Sequence, residues 1–207
     1  MTRCALLTLL LLLFSGKLAA QDDYVRFKRI TINDGLSLSS VYDIYQDSKG
    51  FMWFGTEDGL NKYDGYTFTV YRNKLGDTTT ISNNIVRTLY EDRSGELWIG
   101  TWSGGLHKFN REQENFTRLW SGSVVNLYES QFKNEDDLWI GTTNSLIRYD
   151  RREKKFILFM LEENKRPEKF SNRITGITQD NSGNLWIATL LDGLFMFDVK
   201  TERFTRW

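Results

Sequence analysis

Beyond residue 40 the chain runs in short alternations of apolar and polar residues, four to six long, broken by polar or glycine-bearing steps. A period of two over such lengths is the pattern of half-buried strands, and no long stretch keeps the 3.6-residue period of a helix. Val41 to Gln46 reads as a strand, Phe51 to Thr56 as a second, Leu60 to Tyr63 as a third and Thr67 to Tyr71 as a fourth. The step Asp47-Ser48-Lys49-Gly50 suits a hairpin, because Asp bonds its own backbone and Gly ends the turn. Gly59 opens the third strand after a tight turn.

This unit recurs. Trp53-Phe54-Gly55-Thr56, Trp98-Ile99-Gly100-Thr101, Trp139-Ile140-Gly141-Thr142 and Trp186-Ile187-Ala188-Thr189 are copies of one signature, spaced by 45, 41 and 47 residues. An Asp-x-x-Gly step precedes the first, second and fourth copies, and a short β-like run ending in Asp or Asn follows each. Unit three departs: residues 130–137 replace the step, and Ser145 stands where Gly opens the third strand. Four-stranded units at this spacing predict an all-β fold, a β-propeller of four-stranded antiparallel blades. The blades fall at about 37–73, 82–120, 121–160 and 171–207 within a region 21–207, with 25–32 read as an N-terminal outer strand. The outer strand resembles Phe116-Thr117-Arg118-Leu119 and calls for a closing blade whose other three strands are not in this sequence. The expectation is therefore an incomplete part of a larger propeller, with a closed four-bladed ring as the alternative.

The first twenty residues break the pattern. Arg3, an apolar run from Ala5 to Phe14 and Leu18-Ala19-Ala20 before Gln21 read as a cleaved secretory signal, 1–20. The run is too short to span a bilayer. Export is therefore expected. The single Cys, Cys4, leaves with the signal. Removal of Arg3 and Lys17 reduces 27 basic residues to 25 against 27 acidic ones. A near-neutral chain without a basic stripe argues against nucleic acid as a partner.

Asp34-Gly35-Leu36-Ser37, Val41 to Asp47, Gly50 to Thr56 and Gly59 to Gly65 closely resemble the two-component regulator propeller repeat. The resemblance extends over roughly 25–207. It implies the periplasmic sensor region of a hybrid histidine kinase of Bacteroidetes type, with further blades, a β-sandwich stalk, a membrane helix and cytoplasmic output domains beyond. It implies oligosaccharides from glycan breakdown as the stimulus. The expected partners are the remaining blades and stalk of the receptor, an oligosaccharide and a second copy in a homodimer. This chain itself is expected to be no enzyme. The alternatives are a secreted propeller lyase or hydrolase, and a truncated fragment without function.

Chemistry is sparse. The one His, His107, lies inside a strand of unit two, so no catalytic residue is proposed. The Asp-x-x-Gly turns lack the ligand spacing of a calcium loop, and neither metal nor cofactor is expected. The repeat Trp residues occupy one position within a strand and read as packing between blades. Trp102 differs, because it sits in the turn between the second and third strands, outside the signature. With its counterparts Glu57, Asp58, Asn144 and Asp192 it forms the candidate ligand-binding rim. The long loops 72–84 and 161–171 should open on the same face.

Overall fold

The computed structural model describes residues 27–132, 137–161 and 173–207. The secretory signal 1–20, residues 25 and 26, residues 133–136 of the irregular unit-three step and 162–171 of the second long loop lie outside the described residues.

Among the described residues there are sixteen strands in four antiparallel sheets, each a simple up-and-down meander. Blade 1 is β1 (Val41–Gln46), β2 (Met52–Thr56), β3 (Gly59–Tyr63) and β4 (Phe68–Tyr71). Blade 2 is β5 (Val86–Glu91), β6 (Leu97–Thr101), β7 (Gly105–Asn110) and β8 (Asn115–Trp120). Blade 3 is β9 (Asn126–Glu129), β10 (Leu138–Gly141), β11 (Ser145–Asp150) and β12 (Lys155–Met160). Blade 4 is β13 (Ile174–Gln179), β14 (Leu185–Thr189), β15 (Leu194–Asp198) and β16 (Arg203–Arg206).

Short polar side chains make the turns. Asp47 Oδ1 accepts from the amides of Lys49 (3.0 Å) and Phe51 (2.9 Å), and Gly50 supplies φ +89°. Asp92 and Asp180 repeat this in blades 2 and 4. The Thr that ends each signature closes the next turn, its hydroxyl donating to the carbonyls of Gly59, Gly105, Ser145 and Gly193 at 2.9–3.1 Å.

First strands touch in succession, β1 to β5, β5 to β9 and β9 to β13, so the blades fan about an axis lined by these strands. Three apolar clusters fill the three spaces between consecutive blades. In blades 2 to 4 the Ile of the signature faces the preceding blade, and in blades 1 to 3 the Trp faces the following one. Trp53 meets Phe109 at 5.0 Å, Trp98 meets Tyr149 at 5.9 Å and Trp139 meets Phe197 at 5.7 Å, all edge to face. These three Trp residues are buried, as packing predicted. Trp186 faces no later blade among the described residues. It is half-buried and lies 5.3 Å from Trp207 of its own unit.

The outer strand expected at 25–32 is not found in its described part. No described strand pairs with residues 27–31, and an unpaired strand leaves its amides and carbonyls without partners. Thr31 instead caps a 3₁₀ turn, Ile32–Asp34, in a reciprocal box with Asp34, and Phe27 is 93% exposed.

Candidate functional site at the mouth of the blade axis

The turns after each second strand and the loops between blades emerge together. The amide of Trp102 donates to Ile85 O (2.9 Å), that of Gly59 to Asn84 O (2.8 Å), and Ser123 Oγ donates to Trp102 O. Trp102 is thus pinned between the loops that enter blades 2 and 3.

On this face the beginnings of all four innermost strands surround a cavity of about 310 Å³, lined by Tyr42, Asp43, Arg87, Thr88, Val125, Asn126, Arg173 and Thr175. Local structure aims them there. The pairing of β1 slips between Val41 and Asp43, that of β5 between Val86 and Thr88, and that of β13 between Ile174 and Gly176. Each slip is a β-bulge, and the skipped residues are Tyr42, Arg87 and Thr175. A bulge re-aims the extra side chain and disturbs only local pairing. Aromatic and cationic groups then meet. The Arg87 guanidinium lies 3.9 Å from the Tyr42 ring centroid and 5.3 Å from that of Trp102, and Arg173 lies 5.5 Å from Trp102. The Tyr42 hydroxyl donates to Glu57 Oε1. Burial lowers the pKa of Arg87, opposed by the nearby Glu57 charge. Burial raises the pKa of Asp43, although its carboxylate accepts from the amides of Leu89 (2.7 Å) and Ile44 (2.9 Å).

The rim expected from the sequence is only partly assembled. Glu57 and Trp102 join the mouth through Tyr42 and Arg87. Asp58 instead makes a two-point bond with Arg72 (3.0 and 2.8 Å), just past the outermost strand, which holds its carboxyl below the usual range. Asp192 is buried, 3.7 Å from Arg206 of the outer strand β16. Asn144 is exposed, and its amide donates to Thr142 Oγ1 within its own turn (3.3 Å). Tyr42, Arg87, Arg173 and Thr175 were missed. Tyr42, Arg87, Val125 and Thr175 occupy one repeat position, and its variation among otherwise regular units was the available signal. Loop 72–84 borders a second cleft, of about 630 Å³, against Phe116, Thr117 and Arg118 on the outside of blade 2.

A catalytic role finds no support in His107. It is fully buried, and its Nε2 accepts from the Ser82 amide (3.1 Å) and lies 3.0 Å from Ser82 Oγ. Burial pushes its pKa down to about 4.

The fold is that of a β-propeller, built of blades that share one repeat. Segments 35–58, 80–103 and 169–190 match the sequence model of the family described as two component regulator propeller. Blades 1, 2 and 4 thus each carry a segment similar to the two component regulator propeller repeat. It is 38% identical to histidine kinase P4 of Formosa agariphila over 89% of its length, and spans 17% of that protein. Among solved structures it is similar to the extracellular domain of a putative hybrid two component system from B. thetaiotaomicron. There the TM-score is 0.74 with 25% identity, covering 87% of this chain and 26% of that one. The fold also matches the extracellular domain of a putative one component system from the same organism, with TM-score 0.67, 23% identity and coverage of 88% and 27%.

Proposed function

We propose that this chain is part of the periplasmic ligand-sensing propeller of a histidine-kinase receptor, that it performs no catalysis, and that its ligand is an oligosaccharide. The observation that supports the reading best is the likeness to an extracellular two-component domain over 87% of the chain. The axial mouth adds a concave, partly aromatic site on a rigid scaffold, where ligand sites concentrate. The leader 1–20 supports export, and no helix among the described residues is long and apolar enough to cross a membrane. Ligand at the mouth would favour one arrangement of blades or of paired receptors, and that differential affinity is the signal. Further blades would cover the outer faces of blades 1 and 4.

The test is a reporter for the receptor's target promoter in cells fed a panel of glycan oligosaccharides, with direct titration of the purified sensor alongside. Induction by a saccharide that also binds the sensor supports the reading. Binding without kinase-dependent induction, or turnover of the saccharide by this chain, overturns it.

A further inference from the structure

The mouth carries more specific chemistry than a neutral sugar needs. Arg87 and Arg173 flank the one Trp102 ring at 5.3 and 5.5 Å, both half-buried. Among the described residues neither makes an ion pair or donates a hydrogen bond. Elsewhere the chain pairs its part-buried arginines closely: Arg111 with Asp47 and Glu91, Arg151 with Asp92 and Glu129. The two carboxylates nearest the mouth are committed. Asp43 accepts the amides of Leu89 and Ile44, and Glu57 accepts the Tyr42 hydroxyl. A guanidinium presents five donors in a planar fork that matches an oxyanion at two points. The two half-buried guanidiniums face aromatic rings but leave their N–H donors unused, and a ligand that brings negative charge can engage them.

We infer that the mouth receives the acidic group of an anionic saccharide, a uronate carboxylate or a sulfate ester, between Arg87 and Arg173. This rests on the oligosaccharide reading above and narrows it. Tyr42, 38% exposed, offers the sugar ring a face, and Asn126 and Thr175 offer neutral partners to its hydroxyls. A cavity of about 310 Å³ accommodates a terminal sugar unit rather than a long chain.

Calorimetric titration of the complete purified sensor that contains this chain tests this with three probes on one scaffold: cellobiose, cellobiouronic acid and a sulfated cellobiose. The expected result is that one or both acidic probes bind at least about tenfold tighter than cellobiose, and that added salt weakens this binding. The probe that binds distinguishes carboxylate from sulfate. Arg87→Gln and Arg173→Gln should each lower that affinity about tenfold or more, while Arg87→Lys retains part of it. A melting curve for each variant separates lost binding from lost folding. Equal binding of all three probes overturns the anionic site and leaves the oligosaccharide reading standing. Acidic binding that survives both Gln substitutions in folded protein overturns the assignment to these arginines. Binding of none of the probes counts against the anionic site and the oligosaccharide reading together.

Discussion

Asp47 holds two neighbours at once. Its Oδ2 accepts from Trp53 Nε1 at 2.9 Å and from Arg111 Nη1 of the next blade at 2.7 Å. Asp92 repeats the clasp with Trp98 Nε1 at 2.7 Å and Arg151 of blade 3 at 3.1 Å. At the third interface both halves are gone. Unit three lacks the Asp-x-x-Gly step, Trp139 Nε1 has no partner among the described residues, and Val199 stands where Arg111 and Arg151 stand. Val199 packs against the apolar cluster there, so no charge is buried alone. Removing one member of an intact clasp is therefore worse than lacking both. Asp92→Ala should cost about 1–3 kcal/mol in urea unfolding, since it leaves the Trp98 N–H unpaired and Arg151 with Glu129 alone. For Asp47 and Asp92, burial raises the pKa, but the bonds from Arg111, Ser94, Trp53 and Trp98 outweigh it, and the net shift is downward. A folded pKa below the unfolded one means that this stability is present above the unfolded carboxylate value and is lost as pH falls through the folded one.

His107 gives a second, separate pH window at the scale of one strand and the loop it anchors. Its folded pKa, about 4, lies below the unfolded reference of 6.5 because the strand buries the neutral ring. Stability is therefore full above pH 6.5 and falls as pH drops from there toward 4, by an amount on the order of 3 kcal/mol at the limit. Blade 1 places Asn61 at the same position of β3, where Asn61 Oδ1 accepts the Ser37 amide at 2.9 Å as His107 accepts that of Ser82. His107→Asn should thus fold and should flatten the decline of melting temperature between pH 6.5 and 4. A decline unchanged in the variant would assign it to other groups. The second strands set a further constraint. A Cβ on Gly100 would lie 2.4 Å from Val124 Cγ1, and one on Gly141 would lie 2.7 Å from Ile174 Cγ2, each in the next blade. Gly100→Ala should destabilise by about 1–3 kcal/mol in denaturant titration. Ala188, at the same position in blade 4, is exposed, and Ala188→Gly should change stability by less than about 1 kcal/mol.

Across the whole molecule, blade packing has a direction, Trp forward and Ile back, and its two end faces differ from the buried ones. Blade 4 presents Trp186 and Met196 forward, with Trp207 70% exposed. Blade 1 presents Ile44 backward at 56% exposure, while Leu36 and the Ser37–Asn61 bonds cover part of the same face. Contiguous apolar surface of this kind drives association. Residues 21–207 expressed as an isolated segment should self-associate or melt broadly, read by size-exclusion mass and circular dichroism. A sharp transition from a monomer would show that the end faces are closed within the segment.

Sixteen strands in four blades were legible because each strand is a local alternation and the repeat supplied four readings of it. The packing role of the repeat Trp and the turn-making Asp were legible for the same reason: their chemistry acts within one hairpin or against one neighbouring repeat. Residues 27–31 resemble β8 but pair with no described strand, because a strand is made by its partner edge, which sequence similarity does not supply. Placement of Asp58 and Asp192 depended on whether an arginine in or just past the outermost strand reached them first. The axial mouth was decided by tertiary structure alone. Tyr42, Arg87 and Thr175 are 45 and 88 residues apart along the chain, and only bulges in three inner strands, fanned about one axis, bring them to a single cavity.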